Sequence, residues 1–317
     1  MAVALAIVLP AAHAGTIDAI YAFGDSLTDA GNAFIATAGA PGGSIPQPPY
    51  FNGEFSNGPV WVQDLALDLG LAPLTPSLIG GTDYAFGGAQ SGVTPSNPGS
   101  PTDLVPGQIA AFQSAHPVAD PNALYAIWIG SDDLRNINPA VAGATIAAAV
   151  NNTDAAITSL AAAGAKNFLV LGVPDIGLTP QAIALGPLAQ AQASGLAQAF
   201  NGALFGSLGA VEAADGVHIT TLDTYALLDS IVANPSAYGF TNVTQPCDAT
   251  EVNYSGGASC ATPNQYLFWD TIHPTASAQA IVAADAAAAL APEPGTVSLL
   301  AAGFLVMGIA FRRRRRD

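Results

Sequence analysis

Three polar residues far apart in the chain have the types needed for nucleophilic catalysis: Ser26 in FGDSLTDAGN, and Asp270 and His273 in FWDTIHPT. A serine hydroxyl is a weak nucleophile until a neighbouring base takes its proton, and histidine is the usual base. Beyond the first fourteen residues the chain offers His116, His218 and His273. His116 stands in SAHPVADP, which reads as a surface turn, and His218 in the apolar run GVHITTLD, which reads as a satisfied core histidine. His273 differs because Asp270 stands three residues before it. A carboxylate one turn away can hold one imidazole nitrogen and turn the other toward a nucleophile. Acyl transfer also needs donors aimed at a developing oxyanion. The Ser26 amide, at an expected helix start, is one candidate. The pair Gly87-Gly88 is another, since glycine lets the main chain approach a substrate. Each feature has a plainer reading. Ser26 follows AIYAF and could simply cap a helix, Asp-x-x-His could cap the helix expected from Pro274, and the glycine pair could be a tight turn.

These residues need elements to carry them. The runs AIYAFGD, TDYAFGG, ALYAIWIG, NFLVLGVP and GVHITTLD predict five strands near residues 18, 82, 123, 167 and 216. Each ends in Gly, Asp or Pro, as buried parallel strands do where they turn into loops. Alanine-rich segments predict helices over 59–70, 140–164, 178–214 (long or broken) and 274–290. Residues 92–107 and much of 40–58 are rich in proline and glycine and predict loops. Alternating strands and helices make an α/β fold, a three-layer α/β/α sandwich around a mostly parallel five-stranded sheet. Sites in such sheets form beyond the carboxyl ends of the strands. Gly24-Asp25-Ser26, Gly87-Gly88 and Gly130-Ser131-Asp132-Asp133 all fall there.

Composition narrows the partners. The 317 residues suit one domain with a substantial core once two unusual ends are set aside. Residues 1–14 are apolar and end in an Ala-x-Ala pattern, as in a secretory signal peptide, with a buried strand as the alternative. Near the other end, an apolar stretch over 296–311 meets five consecutive arginines, a positive-inside membrane stop too short for a comfortable permanent span. Five of the seven basic residues lie in that tail, so the body keeps Arg135 and Lys166 against twenty-one acidic residues, a net charge of −19. Such a surface repels phosphate backbones, which excludes nucleic-acid binding and favours neutral substrates. Cys247 and Cys260 are the only cysteines, and in an exported chain they read as a disulfide closing a polar loop. No histidine lies between them and no metal-ligand spacing stands out elsewhere. The expected chemistry uses no metal and no cofactor.

FGDSLTDAGN, AFGGAQSG, IGSDDL and FWDTIHPT stand in the order and spacing of the four blocks of the GDSL, or SGNH, hydrolases, and the resemblance spans roughly residues 19–290. It implies a secreted bacterial serine esterase or lipase on a flavodoxin-like fold. By position, Ser26 would be nucleophile, His273 general base and acid, Asp270 the orienting acid, and the Ser26 and Gly88 amides oxyanion donors. Ordinary α/β hydrolases fit less well, because Gly-Asp-Ser-Leu-Thr lacks the second glycine of their nucleophile elbow. Pro292-Glu293-Pro294, the apolar run and the arginine cluster together resemble a PEP-CTERM sorting signal. That resemblance implies a surface or secreted protein whose tail is removed by an exosortase after transient membrane association. A permanent single-helix anchor is the other reading. The expected organisation is a signal peptide over 1–14, the hydrolase domain over 15–290 and the sorting segment over 291–317.

One block departs from the pattern. The family's third block carries an asparagine whose amide is a third oxyanion donor, and here Asp132 takes its place. An ionised carboxylate cannot donate, and losing one such donor typically costs about a hundredfold to a thousandfold in rate. Asp132 must therefore stay protonated, or Ser131 or a shifted amide must replace it, or catalysis is weak. The expected substrate is a small-molecule or lipid ester, with an extracellular acetylated polysaccharide as a variant. A surface-matrix module with the fold but little catalysis is the alternative class. Loops 40–58, 92–107 and 240–265 are expected to shape the acyl pocket.

Overall fold

The computed structural model describes residues 17–248, 254, 257 and 259–291. The signal-peptide and sorting-tail expectations therefore lie outside the described residues, apart from residue 291. Residues Thr16–Ala289 make one compact unit. Its centre is a four-stranded sheet of β1 (Ile20–Gly24), β2 (Leu124–Trp128), β3 (Asn167–Leu171) and β4 (His218–Leu222), in that order and all parallel. Every residue of β2, LYAIW, is buried, as a central strand covered on both faces requires.

One of the five expected strands, TDYAFGG, does not form as a regular strand. Residues 82–86 run beside β1 with ladder bonds from Ala22 to the Thr82 carbonyl (3.1 Å), Tyr84 to Ala22 (2.7 Å) and Phe86 to Gly24 (3.1 Å). On the side away from β1, the Asp83 carboxyl takes the Ala85 amide at 3.0 Å. Counting it as an edge, the chain order across the sheet is second, first, third, fourth, fifth, the flavodoxin-like arrangement.

Helices cover both faces. On one, Phe23, Tyr125, Ile127, Phe168 and Val170 join a single cluster with Phe112 of α3 (Ile109–Ala115), Ile157 of α5 (Ala142–Ala163) and Phe200 of α7 (Pro187–Asp215). On the other, Trp128 meets Trp61 of α2 (Trp61–Asp68) edge-on at 5.8 Å, and Gln279 of α9 (Ala276–Leu290) accepts from the Trp61 amide. The expected helix over 178–214 is broken into α6 (Pro180–Leu185) and α7, since Pro187 has no amide to continue the ladder. Short α1 (Asn32–Ala36) and α4 (Ser131–Arg135) follow β1 and β2, and α8 (Thr224–Ala233) follows β4. A separate parallel pair, β5 (Asn242–Pro246) and β6 (Tyr266–Phe268), leads into α9. Among the described residues no helix is long and apolar enough to cross a membrane.

Candidate active site

The site begins where β1 stops. Gly24 has φ 157 and lies against the Trp128 carbonyl, so close that a Cβ there would collide with it. Gln108 bonds both backbone groups of Gly24, accepting from its amide at 2.9 Å and donating at 2.7 Å to its carbonyl, which also takes the Phe86 amide. Beyond it the chain makes one turn, with the Thr28 and Asp29 amides on the Asp25 carbonyl, both at 3.1 Å. No helix starts at Ser26, which corrects both the cap reading and the placing of its amide at a helix N-terminus. The helix is α1, six residues on, and Asp29 caps it by accepting from Gly31 (2.8 Å), Asn32 (2.6 Å) and Ala33 (3.0 Å).

The Ser26 hydroxyl instead meets Nε2 of His273 at 2.8 Å. Nδ1 of the same ring lies 2.6 Å from Asp270 Oδ2. With Nδ1–H donating to the carboxylate, Nε2 is left as the acceptor of the serine proton. Asp270 does not cap α9, which starts at Ala276 and not at Pro274. Its Oδ1 accepts from the amides of Ile272 (2.8 Å) and His273 (2.6 Å), folding its own loop around the imidazole. Burial alone would raise the Asp270 carboxyl, but the facing His273 and these two amides outweigh it and hold the group below its ordinary value.

Two aromatic residues that the sequence reading missed complete this wall. Tyr50 donates from its hydroxyl to Asp270 Oδ2 at 2.7 Å, and Tyr254 packs edge-on against the His273 ring at 5.5 Å. Phe55 covers another side of the imidazole at 5.1 Å. Cys247 and Cys260 form the expected disulfide, and it packs with Tyr50 and Trp269 in one small cluster. Phe55 and Tyr254 thus flank the imidazole, and Tyr50 holds its carboxylate partner.

The Gly88 amide and the Ser26 amide donate to no protein acceptor among the described residues. Gly88 has φ 79 with open space where a Cβ would be, so its conformation, and not crowding, requires glycine. Asp29 ties the two loops together, since its Oδ2 also accepts from the Gly87 amide at 2.8 Å. Burial pushes the Asp29 carboxyl up to about 6 against the pull of those four amides. Asp29 was visible in FGDSLTDAGN, but nothing in its spacing announced a link to Gly87.

Asp132 stands in the first turn of α4 and is buried, with Oδ1 accepting from Nη1 of Arg135 at 2.9 Å. Burial raises its carboxyl, Arg135 and His273 pull it down, and Asp103 pushes it up, leaving it above the ordinary value. Among the described residues Ser131 Oγ is buried without a hydrogen-bond partner. Beside Ser26, Asp25 is pushed well up by burial and by Asp132, and its Oδ2 has no hydrogen-bond partner among the described residues. His116 lies at the end of α3, stacked on Phe112 at 4.9 Å, away from this cluster. His218 is no core residue: β4 is the sheet edge, and the imidazole is exposed beside Glu212 at 3.3 Å.

A cavity of about 310 Å³ opens at Ser26 and His273. Apart from the polar groups at its reactive end, its walls are mostly apolar, with Trp128, Leu134, Ile176, Leu196, Leu227 and Phe268 among them. They come from β2, α4, the turn after β3, α6, α7, α8 and the β6–α9 segment. Among the described residues none comes from 40–58, 92–107 or 240–265, so the expectation that those loops shape the pocket is corrected. Among the described residues no group of three or more His, Cys, Asp or Glu is placed to hold a metal ion.

Residues 20–286 match the family described as GDSL-like Lipase/Acylhydrolase, and residues 290–315 match the PEP-CTERM protein-sorting motif, which points to export and cell-surface sorting. The thermolabile hemolysin of Vibrio parahaemolyticus is 28% identical over 84% of this chain and 62% of its own length. A GDSL esterase/lipase of Arabidopsis thaliana is 29% identical over 82% of this chain and 85% of its own. The chain thus spans under two thirds of the hemolysin's length. An extracellular lipase of Streptomyces rimosus aligns with a TM-score of 0.45 at 15% identity, over 84% of this chain and 98% of that one. With the family match running through β1, the parallel sheet and most of α9, the chain belongs to the GDSL-like lipase/acylhydrolase family.

Proposed function

We propose that this chain is an exported serine esterase or lipase that hydrolyses neutral carboxylic esters through an acyl-enzyme. The observation that carries this reading is the continuous chain Ser26–His273–Asp270, at 2.8 Å and 2.6 Å, at the mouth of an apolar cavity. Ser26 Oγ bonds to the ester carbonyl carbon while its proton passes to His273 Nε2, and the carbonyl oxygen becomes an oxyanion. The Ser26 and Gly88 amides receive that charge. Collapse of the intermediate expels the alcohol with the proton from Nε2, and water repeats the sequence on acyl-Ser26 to release the acid. Asp270, held ionised, keeps the imidazole in the tautomer this needs and stabilises it when charged. The apolar walls favour an acyl chain longer than acetyl, and the body charge of −19 favours a neutral alcohol portion.

In this reading residues 1–14 are a cleaved leader, 15–290 the enzyme, and 291–317 a sorting tail removed by an exosortase. Mass spectrometry of protein recovered from the cell surface would show both ends trimmed. The activity is tested with purified protein on aryl esters of graded chain length. The expected result is turnover by the wild type, its loss in Ser26→Ala, and labelling of Ser26 by an alkyl fluorophosphonate. A wild type inert on every ester and unlabelled at Ser26 would leave only the matrix-module class.

A further inference from the structure

The reaction builds negative charge beside buried carboxyls. Asp25 and Asp132 are both buried at the Ser26 end of the cavity, and Asp133 stands next to them on α4. A carboxylate at Asp132 would oppose an oxyanion unless something cancels it. The one arginine outside the tail lies here. Arg135 lines the same cavity as Ser26, Asp132 and His273. The body's other cation, Lys166, immediately precedes β3 and so sits at the amino ends of the parallel strands, away from the site.

We propose that Arg135 is the cationic element of the oxyanion site, held there by Asp132, which serves as its anchor and not as a donor. This inference rests on the esterase reading above. The pair differs from an ordinary exposed i,i+3 ion pair, because the Asp132 side chain is only 6% exposed and the Arg135 side chain 28%. Asp132 fixes Nη1 at 2.9 Å, and the guanidinium charge also acts on Tyr254, pulling against the burial that raises its hydroxyl. Tyr254 also packs edge-on against His273, so one aromatic side chain joins the cation to the catalytic base. A guanidinium carries five N–H donors and stays charged at any working pH, so the bond to Asp132 leaves donors unspent. Its charge already acts within the cluster, opposing the burial that raises the carboxyls of Asp25 and Asp132. In the resting enzyme the ion pair is neutral overall, and the Asp132 carboxylate no longer repels incoming charge. When the Ser26 proton moves to His273, the positive field of Arg135, in the same cavity, offsets the charge of the new oxyanion. Arg135 thereby fills electrostatically the place left by the donor that Asp132 cannot be.

The test compares wild type, Arg135→Gln, Arg135→Lys, Asp132→Asn and the double variant Asp132→Asn/Arg135→Gln on one neutral aryl ester. Arg135→Gln leaves Asp132 uncompensated and is expected to lose about a hundredfold in kcat, the size of one oxyanion contact, with KM nearly unchanged. Arg135→Lys, which keeps the charge without the fork, should fall between. Adding Asp132→Asn to Arg135→Gln removes the carboxylate and supplies an amide donor, and should restore most of the lost kcat. Thermal unfolding of each variant separates this from a loss of folding, and Arg135→Lys keeps the comparison usable if Arg135→Gln is unstable. Wild-type kcat in Arg135→Gln, a loss confined to KM, or no recovery in the double variant would each overturn the proposal. An inert wild type unlabelled at Ser26 would instead overturn the esterase reading.

Discussion

The hydroxyl of Tyr50 and the imidazole of His273 meet on one oxygen: Oδ2 of Asp270 lies 2.7 Å from Tyr50 and 2.6 Å from His273 Nδ1. The carboxylate therefore has all its major partners inside the protein, with the Ile272 and His273 amides on its other oxygen. It is fully buried and yet held below its ordinary value, because the facing His273 and the His273 and Ile272 amides outweigh its loss of hydration.

Tyr50→Phe removes one bond to that carboxylate and should lower kcat by about tenfold, since a hydrogen bond to a charged group contributes about 1.5–3 kcal/mol. Losing it should also raise the Asp270 carboxyl and shift the acid limb of the pH–rate profile upward. A profile and kcat equal to wild type would show that Tyr50 only fills space.

The apolar cavity predicts a chain-length profile. Each methylene of the acyl group that is buried contributes about 0.8 kcal/mol, or about fourfold in kcat/KM, until the cavity is full. Ala193, on the cavity wall, offers a way to shorten it. Ala193→Phe should lower the ratio of long-chain to short-chain kcat/KM, and an unchanged ratio would place the acyl chain elsewhere.

Stability should fall as the pH rises from mildly acidic to mildly basic. Burial lifts Asp29 to about 6, Asp133 to about 7 and Glu54 to about 8. The folded state thus holds these protons more tightly than the unfolded chain, whose carboxyls titrate near pH 4. Their contribution is complete below that value and is lost as the pH rises through each folded value in turn. Asp25 and Asp83 are shifted in the same direction, again chiefly by burial. Asp270, held low, acts in the opposite direction and only under more acidic conditions. Calorimetry should find a higher Tm at about pH 5 than at about pH 8.5. A Tm that rises across this interval would contradict these assignments.

The disulfide should support the site as well as the fold. Cys247–Cys260 closes a loop with a sequence separation of 13 and packs against Tyr50 and Trp269. Loops of this size contribute about 3 kcal/mol through the unfolded state. The paired Cys247→Ser/Cys260→Ser variant should lower Tm and also kcat, through loosened contacts at Asp270. Loss of Tm with full kcat would confine the disulfide to stability.

What the amino-acid sequence determined is mostly local. Ser26 beyond an apolar run, Asp270 three residues before His273, Gly87-Gly88 and the Asp132 departure were all readable from residue type and short spacing. So were the α/β alternation and the cysteine pair, because strand and helix periods and the scarcity of cysteine leave few arrangements. What only the tertiary structure decided depends on which distant surfaces meet. Tyr50 reaches Asp270 across 220 positions, and Asp29 reaches Gly87 across 58, with no spacing rule to announce either bond. The cavity walls came from α6, α7 and α8 and not from the proline-rich loops, since a sequence pattern shows that a helix has an apolar face but not what that face borders. His218 proved exposed because an apolar run does not reveal that its strand is the last in the sheet. Asp132 and Arg135 are three residues apart, yet only packing turns that pair from a surface contact into one that lines the cavity beside Ser26, because burial of Asp132 removes much of the water that would otherwise screen the charges.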